Sequence, residues 1–210
     1  LQQDVFLFRN KSDLSFRFRF IENNKLTQYN NGKEYGNFTE RSLRIKVKMV
    51  KEIGNQTDIV FQSDDVETSA NNSRARQLTI NDVTSDFSYR PIQNIEVGFK
   101  IGAGTSVDNL PATPTEITTN SQLIRFTYSF TNKGRLRIEA ERSEVEDNGT
   151  DNLIPYEMLR GKVVGKNYFW RVNFDYRLAD NLQITLNYLG RKQNINNIIH
   201  SMRAEARAYF

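Results

Sequence analysis

The chain has 210 residues, no cysteine and a formal net charge of +4. That length suits one domain, and the absence of thiols removes disulfide frameworks and thiolate chemistry. Hydrophobic residues reach only 38%, low for a water-soluble core, while aromatics reach 11%, too many for a disordered chain. No run approaches the ~18 apolar residues of a membrane helix. Membrane strands stay open as an expectation, because each needs only about 9–11 residues and half of them are free to be polar. Basic residues are spread along alternating segments instead of clustering beside a recognition motif, so no nucleic-acid partner is expected.

Taken in chain order, period-two alternation dominates and helical periodicity is nearly absent. A weak strand is expected at 4–9. Leu14, Phe16, Phe18 and Phe20 then alternate with Ser15, Arg17 and Arg19. Leu43, Ile45, Val47 and Met49 alternate with Arg44, Lys46 and Lys48. Weaker strands are expected at 58–63 and 76–89. The second of these changes phase between Ile80 and Val83, which predicts a β-bulge near Asp82. Ile95 to Ile101, Ile124 to Phe130, Leu136 to Ala140, Tyr168 to Tyr176 and Leu182 to Tyr188 alternate cleanly. About eleven strands result, the last at 201–210.

Connections alternate in length. Short turns carrying Gly, Asn, Asp and Pro are expected at 10–13, 54–56, 91–94, 131–134 and 179–181. Long polar loops are expected at 22–40, 64–75, 104–120, 144–166 and 191–198. This pattern predicts an up-and-down antiparallel meander with two unlike ends. An odd count would make the first and last strands parallel, whereas an all-antiparallel barrel closes on an even number. Three solutions follow: 4–9 is not a barrel strand, one strand is hidden, or the chain is the C-terminal part of a larger barrel.

The last ten residues carry the most specific signal. Met202, Ala204, Ala206, Ala208 and Phe210 share one face, and Arg203, Glu205, Arg207 and Tyr209 share the other. An alternating strand that stops on a terminal Phe resembles the ending of bacterial outer-membrane β-barrel proteins. The Asn- and Lys-rich style resembles Bacteroidota-type envelope proteins. The resemblance implies an all-β transmembrane barrel over 1–210, or the C-terminal part of one, with short periplasmic turns and long extracellular loops. It also implies a place in the bacterial outer membrane, contact with outer-membrane lipid, and engagement of the barrel-assembly machinery by Met202, Ala204, Ala206, Ala208 and Phe210. The alanines make this apolar face thinner than usual, which points to a protein partner or further strands closing the sheet.

The polar faces are strongly charged. Arg17, Arg19, Arg44, Lys46 and Lys48 would form one basic wall. Arg137, Glu139, Glu141, Arg171, Asp175, Arg177, Arg203, Glu205 and Arg207 would mix both signs over the C-terminal half. In a barrel these residues face the lumen. They would act there as cross-strand charge ladders at ~0.2–1 kcal/mol per pair, or as a field selecting solutes.

No catalytic constellation is expected. His200 is the one histidine, and its neighbour Ser201 points to the opposite face of a strand. The acidic groups Asp64-Asp65 and Glu144-Val145-Glu146-Asp147 read as solvated loops without metal-ligand spacing. Gly102-Ala103-Gly104 reads as a strand end. No cofactor and no metal are expected. The leading expectation is a non-enzymatic outer-membrane pore, transport or secretion channel with a charged hydrophilic lumen, or a membrane anchor for a further N-terminal region. A soluble β-sandwich binding carbohydrate or protein is the alternative, and an outer-membrane hydrolase is the second alternative.

Overall fold

Alternating β-branched, aromatic and charged residues leave the backbone only one economical arrangement, a ladder in which every strand pairs with its sequence neighbour. The computed structural model describes residues 1–8, 13–69, 75–149 and 153–208. It contains β1 (Gln2–Leu7), β2 (Leu14–Tyr29), β3 (Gly32–Val50), β4 (Ile53–Thr68), β5 (Arg76–Ile92) and β6 (Ile95–Asp108). These are followed by β7 (Thr115–Phe130), β8 (Gly134–Asp147), a single helical turn α1 (Tyr156–Leu159), β9 (Gly165–Ala179), β10 (Leu182–Gln193) and β11 (Ile199–Ala208). All eleven strands form one antiparallel sheet in the order β1 to β11. A single sequential sheet replaces the β-sandwich alternative, which needs two packed sheets. Among the described residues no ladder joins β1 to β11, and the odd count makes these two edges run in the same direction.

The strands are longer than the sequence pattern suggests. Most of the expected loop 22–40 is strand, with β2 reaching Tyr29 and β3 starting at Gly32. The segments around Asp64, Asp65, Glu144, Glu146 and Asp147 are likewise strand, not loop. Gly102 and Gly104 lie inside β6 and not at its end. Polar composition hid these extensions because an antiparallel strand beyond an apolar band can be polar on both faces. Phe210 and Tyr209 lie outside the described residues.

Register sorts the two faces. One cross-strand row runs Ile53, Tyr89, Val97, Phe126, Ile138, Val172, Tyr188 and Met202. All eight are on the outward face. Along β10 the outward residues from Leu182 to Gly190 span about 27 Å of strand. Tilted like a barrel strand, this gives a band of roughly 20 Å, close to the ~25 Å of outer-membrane barrels. Arg41 stands at the edge of the band between Phe20 and Phe61, and the band has a polar interruption at Asn55, Thr57 and Ser85. There Asn55 Nδ2 donates to Ser85 Oγ at 2.8 Å, and Thr57 Oγ1 donates to Asn55 Oδ1 at 3.1 Å. Mutual hydrogen bonding lowers the cost of showing these groups to an apolar medium.

The other face is concave. A cavity of about 470 Å³ is lined from Leu14 and Ser15 on β2 through to Arg125 on β7. The expected bulge near Asp82 is absent, since β5 pairs with both neighbours without a shift from Leu78 to Tyr89. Leu78 and Ile80 simply point inward, where they are buried. Their off-phase position marks a small interior core: Leu78, Ile117, Val145 and Met158 form one buried cluster, with Ile154 and Leu159 packed against it.

Gly190 on β10 lies directly opposite Trp170 on β9. A Cβ placed at Gly190 would land in the indole ring, so the glycine is the seat on which Trp170 lies. Gly190→Val should therefore overpack this contact and destabilise the fold by about 1–3 kcal/mol, read as a lower urea midpoint of Trp fluorescence in detergent micelles.

Candidate functional site

The concave face carries nearly all of the ion pairs. Asp4 on β1 holds both Arg17 and Arg19 at 3.0 Å, and Arg44 pairs with Asp58 across β3 and β4. Three of the five residues of the expected basic wall thus have an ion-pair partner, although the single Asp4 carboxylate shared by Arg17 and Arg19 leaves one of their two positive charges over. Lys46 and Lys48 have no ion-pair partner among the described residues, and both line the 470 Å³ cavity beside Asp13, Gln56, Asp86 and Glu96. On the C-terminal strands Glu139 is buried and accepts from Arg137 at 2.9 Å and from Arg171 at 3.1 Å. Glu141 pairs with Lys162 at 3.1 Å. Asp175 accepts from Thr185 Oγ1 at 2.9 Å. Glu205 lies between Arg203 at 3.4 Å and Arg207 at 2.6 Å. Arg177 is exposed at the short-turn end of β9.

Between the two halves sits a residue that sequence pattern alone did not single out. Arg125 projects from β7 and forks onto Asp86, with Nη1 and Nη2 each 3.2 Å from a carboxylate oxygen. Its Nη2 also lies 3.5 Å from Glu96. A two-toothed fork of this kind fixes direction as well as charge. Gly98 makes room for it, because a Cβ there would come within 2.7 Å of the guanidinium.

The outer end of the concave face is occupied by the segment 153–164. α1 buries Met158 in the interior cluster. Around it, Arg160 pairs with Asp82, Lys162 with Glu141, and Glu157 with Arg76 at 3.0 Å. Asn167, fully buried, accepts from the Val163 N–H at 3.0 Å and donates to the Val163 and Gly165 carbonyls. Beneath the turn a polar cavity of about 390 Å³ remains, lined by Gln62, Thr84, Gly102, Gly104, Ser106 and Ser121 among others. The sequence signal for this inward fold was present in two places. Leu78, Ile80, Ile117 and Val145 break the outward alternation, and the Tyr156–Leu159 turn follows Pro155, a residue suited to a helix start.

His200 faces outward, not into the lumen. Its Nδ1 is 2.8 Å from the Tyr188 hydroxyl, which also accepts from Trp170 Nε1 at 3.2 Å. Ser201 is opposite Leu189 on the concave side, so the two residues are separated by the sheet. Met202, Ala204 and Ala206 share the outward face with His200 and pair with Tyr188, Leu186 and Ile184. Among the described residues no group of three carboxylate or imidazole side chains could hold a metal.

No protein-family model and no curated protein matches the sequence. Solved structures do match the fold. Outer-membrane expressed OmpT of Vibrio cholerae aligns with 99% of this chain and 88% of its own, at 10% identity and a TM-score of 0.58. The in-vitro folded form of OmpT, an outer membrane protein of Vibrio cholerae, gives 100% and 88% coverage, 10% identity and a TM-score of 0.57. The NanC porin covers 100% of this chain and 98% of its own at 8% identity, with a TM-score of 0.49. At these identities the likeness is one of fold: the chain has the up-and-down architecture of the bacterial outer-membrane β-barrels.

Met158 is the apolar pin of the inward segment. Met158→Asp should release it, since a buried carboxylate in that cluster would lack a partner. Trypsin should then cut at Arg160 or Lys162 at least tenfold faster (about 1.4 kcal/mol of local stability), while the folded gel band persists.

Proposed function

We propose that the protein is an integral outer-membrane β-barrel that conducts small hydrophilic solutes, with the segment 153–164 narrowing its outer mouth. One observation carries this reading: the charged face of the sheet is concave and the apolar face convex, the reverse of a water-soluble protein. An apolar convex band belongs against lipid, and a charged concave face belongs against water. The pore occupies a barrel built by residues 1–210, alone or as the C-terminal part of a larger one. We read it as non-enzymatic, because His200 lies on the convex wall with aromatic partners. Engagement of the barrel-assembly machinery through the last strand is part of the same proposal. So is a Bacteroidota-type source, which rests on the Asn- and Lys-rich composition.

Positive charge left over on the lumenal face gives the proposed pore its sign. Asp4, Glu139 and Glu205 are each shared by two arginines. Lys46 and Lys48, in the cavity that Arg125, Asp86 and Glu96 also line, have no ion-pair partner among the described residues. This surplus, with the two lysines at the short-turn end, should bias permeation toward anions.

The protein should depend on detergent for monodispersity and shift on gels between unheated and boiled samples. A monodisperse detergent-free protein would end the membrane reading. In planar bilayers, discrete conductance steps are expected, with chloride favoured over potassium under a salt gradient. Lys46→Glu with Lys48→Glu should lower that ratio by about fivefold, equivalent to ~1 kcal/mol per ion in a wet pore. A silent bilayer with correctly folded protein would favour the anchor reading instead.

A further inference from the structure

The convex wall is not uniform around the sheet. Over β8 to β10 the apolar band ends at a row of side chains unlike the rest of that wall. Arg142 is paired in register with Tyr168, and Tyr168 with Lys192. All three share the outward face, with the two cations flanking the phenol from either side. Strands spaced at about 4.8 Å put the two cations roughly 10 Å apart at the backbone, within reach of one another through their long side chains. The next row toward the long-loop end adds Lys166, paired with Glu144. The next row toward the band holds Trp170, with His200 at 6.0 Å between ring centres. Arg142, Lys166, Tyr168 and Lys192 are all exposed.

Glu144 is the one carboxylate in these rows, and Glu146, also outward and exposed, follows one row further along β8. Glu144 lies 3.6 Å from Arg142, and the two acids against three cations leave one net positive charge. Elsewhere at this end the outward positions of β4 and β7 carry acids, among them Asp65, Glu67 and Glu116. Net positive charge is thus gathered on one sector, at the level where an apolar wall meets water. Tyr168 and Trp170 add the amphipathic rings suited to that boundary. The chemistry that complements this arrangement is a phosphate group held at headgroup depth above an acyl chain.

Resting on the membrane-spanning reading above, we propose that Arg142, Lys166, Tyr168 and Lys192 form a binding site for the phosphate-bearing headgroup of a membrane lipid in the outer leaflet. The arginine and the lysines contact phosphate oxygens, the Tyr168 ring supports the glycerol or sugar region, and Trp170 lies against the upper acyl chain. Because Glu144 opposes the cations, its removal should strengthen the site, an effect that general surface stickiness does not predict.

Trp170 is the only tryptophan in the chain, so its fluorescence reports on the lipid beside this patch alone. The test compares quenching by brominated phosphatidylglycerol with quenching by brominated phosphatidylcholine, in mixed vesicles containing the folded full chain. The anionic lipid should be enriched beside Trp170. Arg142→Gln with Lys192→Gln should reduce that enrichment by about fivefold for each cation lost, and Glu144→Gln should raise it by a similar factor. Lys166→Gln takes the place of the double variant if the latter loses its heat-modifiable band. Equal quenching by both lipids, or no response to these substitutions, would overturn the site. Displacement by millimolar inorganic phosphate would also overturn it, assigning the patch to a soluble anion. Absence of quenching by either lipid would instead remove the membrane-spanning reading on which the proposal rests.

Discussion

Every feature of this protein depends on the continuity of one hydrogen-bonded ladder. An apolar medium offers no water to an unpaired N–H or C=O, and each such group costs several kcal/mol there. The chain meets this constraint by pairing each strand with the next, from β1 to β11, without a crossover. Proline is kept out of the membrane-level ladder, and register shifts fall at strand ends, as at Lys48/Val50 and Tyr89/Ile92. Once the ladder is in place, alternation does the rest: one face must be apolar, and the other is released to be as charged as function requires.

That freedom is used in two ways. Over most of the concave face, opposite charges are interleaved within a strand or across a pair, as with Asp4 between Arg17 and Arg19, or Glu139 between Arg137 and Arg171. Such pairs are worth little individually when wet, but they hold a crowded set of charges together and leave each of these triads one positive charge over. Lys46 and Lys48 add to the same sign. The outer end follows different logic. There the interior turns apolar, and Met158 packs with Leu78, Ile117 and Val145. The hydrophobic effect, which cannot hold the wall together in lipid, is available inside the wet barrel and is used to seat the segment 153–164.

Much of the fold was legible in the residues. Phe16, Phe18 and Phe20 against Arg17 and Arg19 already state period two and a two-faced strand, and the unlike lengths of successive connections state a meander. The wall assignments of Arg17, Arg44, Lys46, Arg171 and Arg203 follow from the same parity. Less legible was where strands end, because Glu22 to Glu40 is polar on both faces and reads as loop. Arg125 escaped notice because one arginine in an alternating strand looks like any other. Its partners Asp86 and Glu96 lie on β5 and β6, and register alone brings them to it.

By itself, then, the sequence determined the all-β class, a count of about eleven strands, the sequential pairing and the face of the cleanly alternating side chains, since these are set by local alternation and turn chemistry. Only the tertiary structure decided which face is concave, which cations find carboxylates, and that Leu78 and Ile80 are an interior seat and not a bulge. Curvature and the inward fold of 153–164 arise from contacts between residues far apart in the chain, and such contacts leave no periodic trace in it. The phase break at Ile80 and Val83 was a local mark of that interior core, and it became readable only with Met158 in place against it.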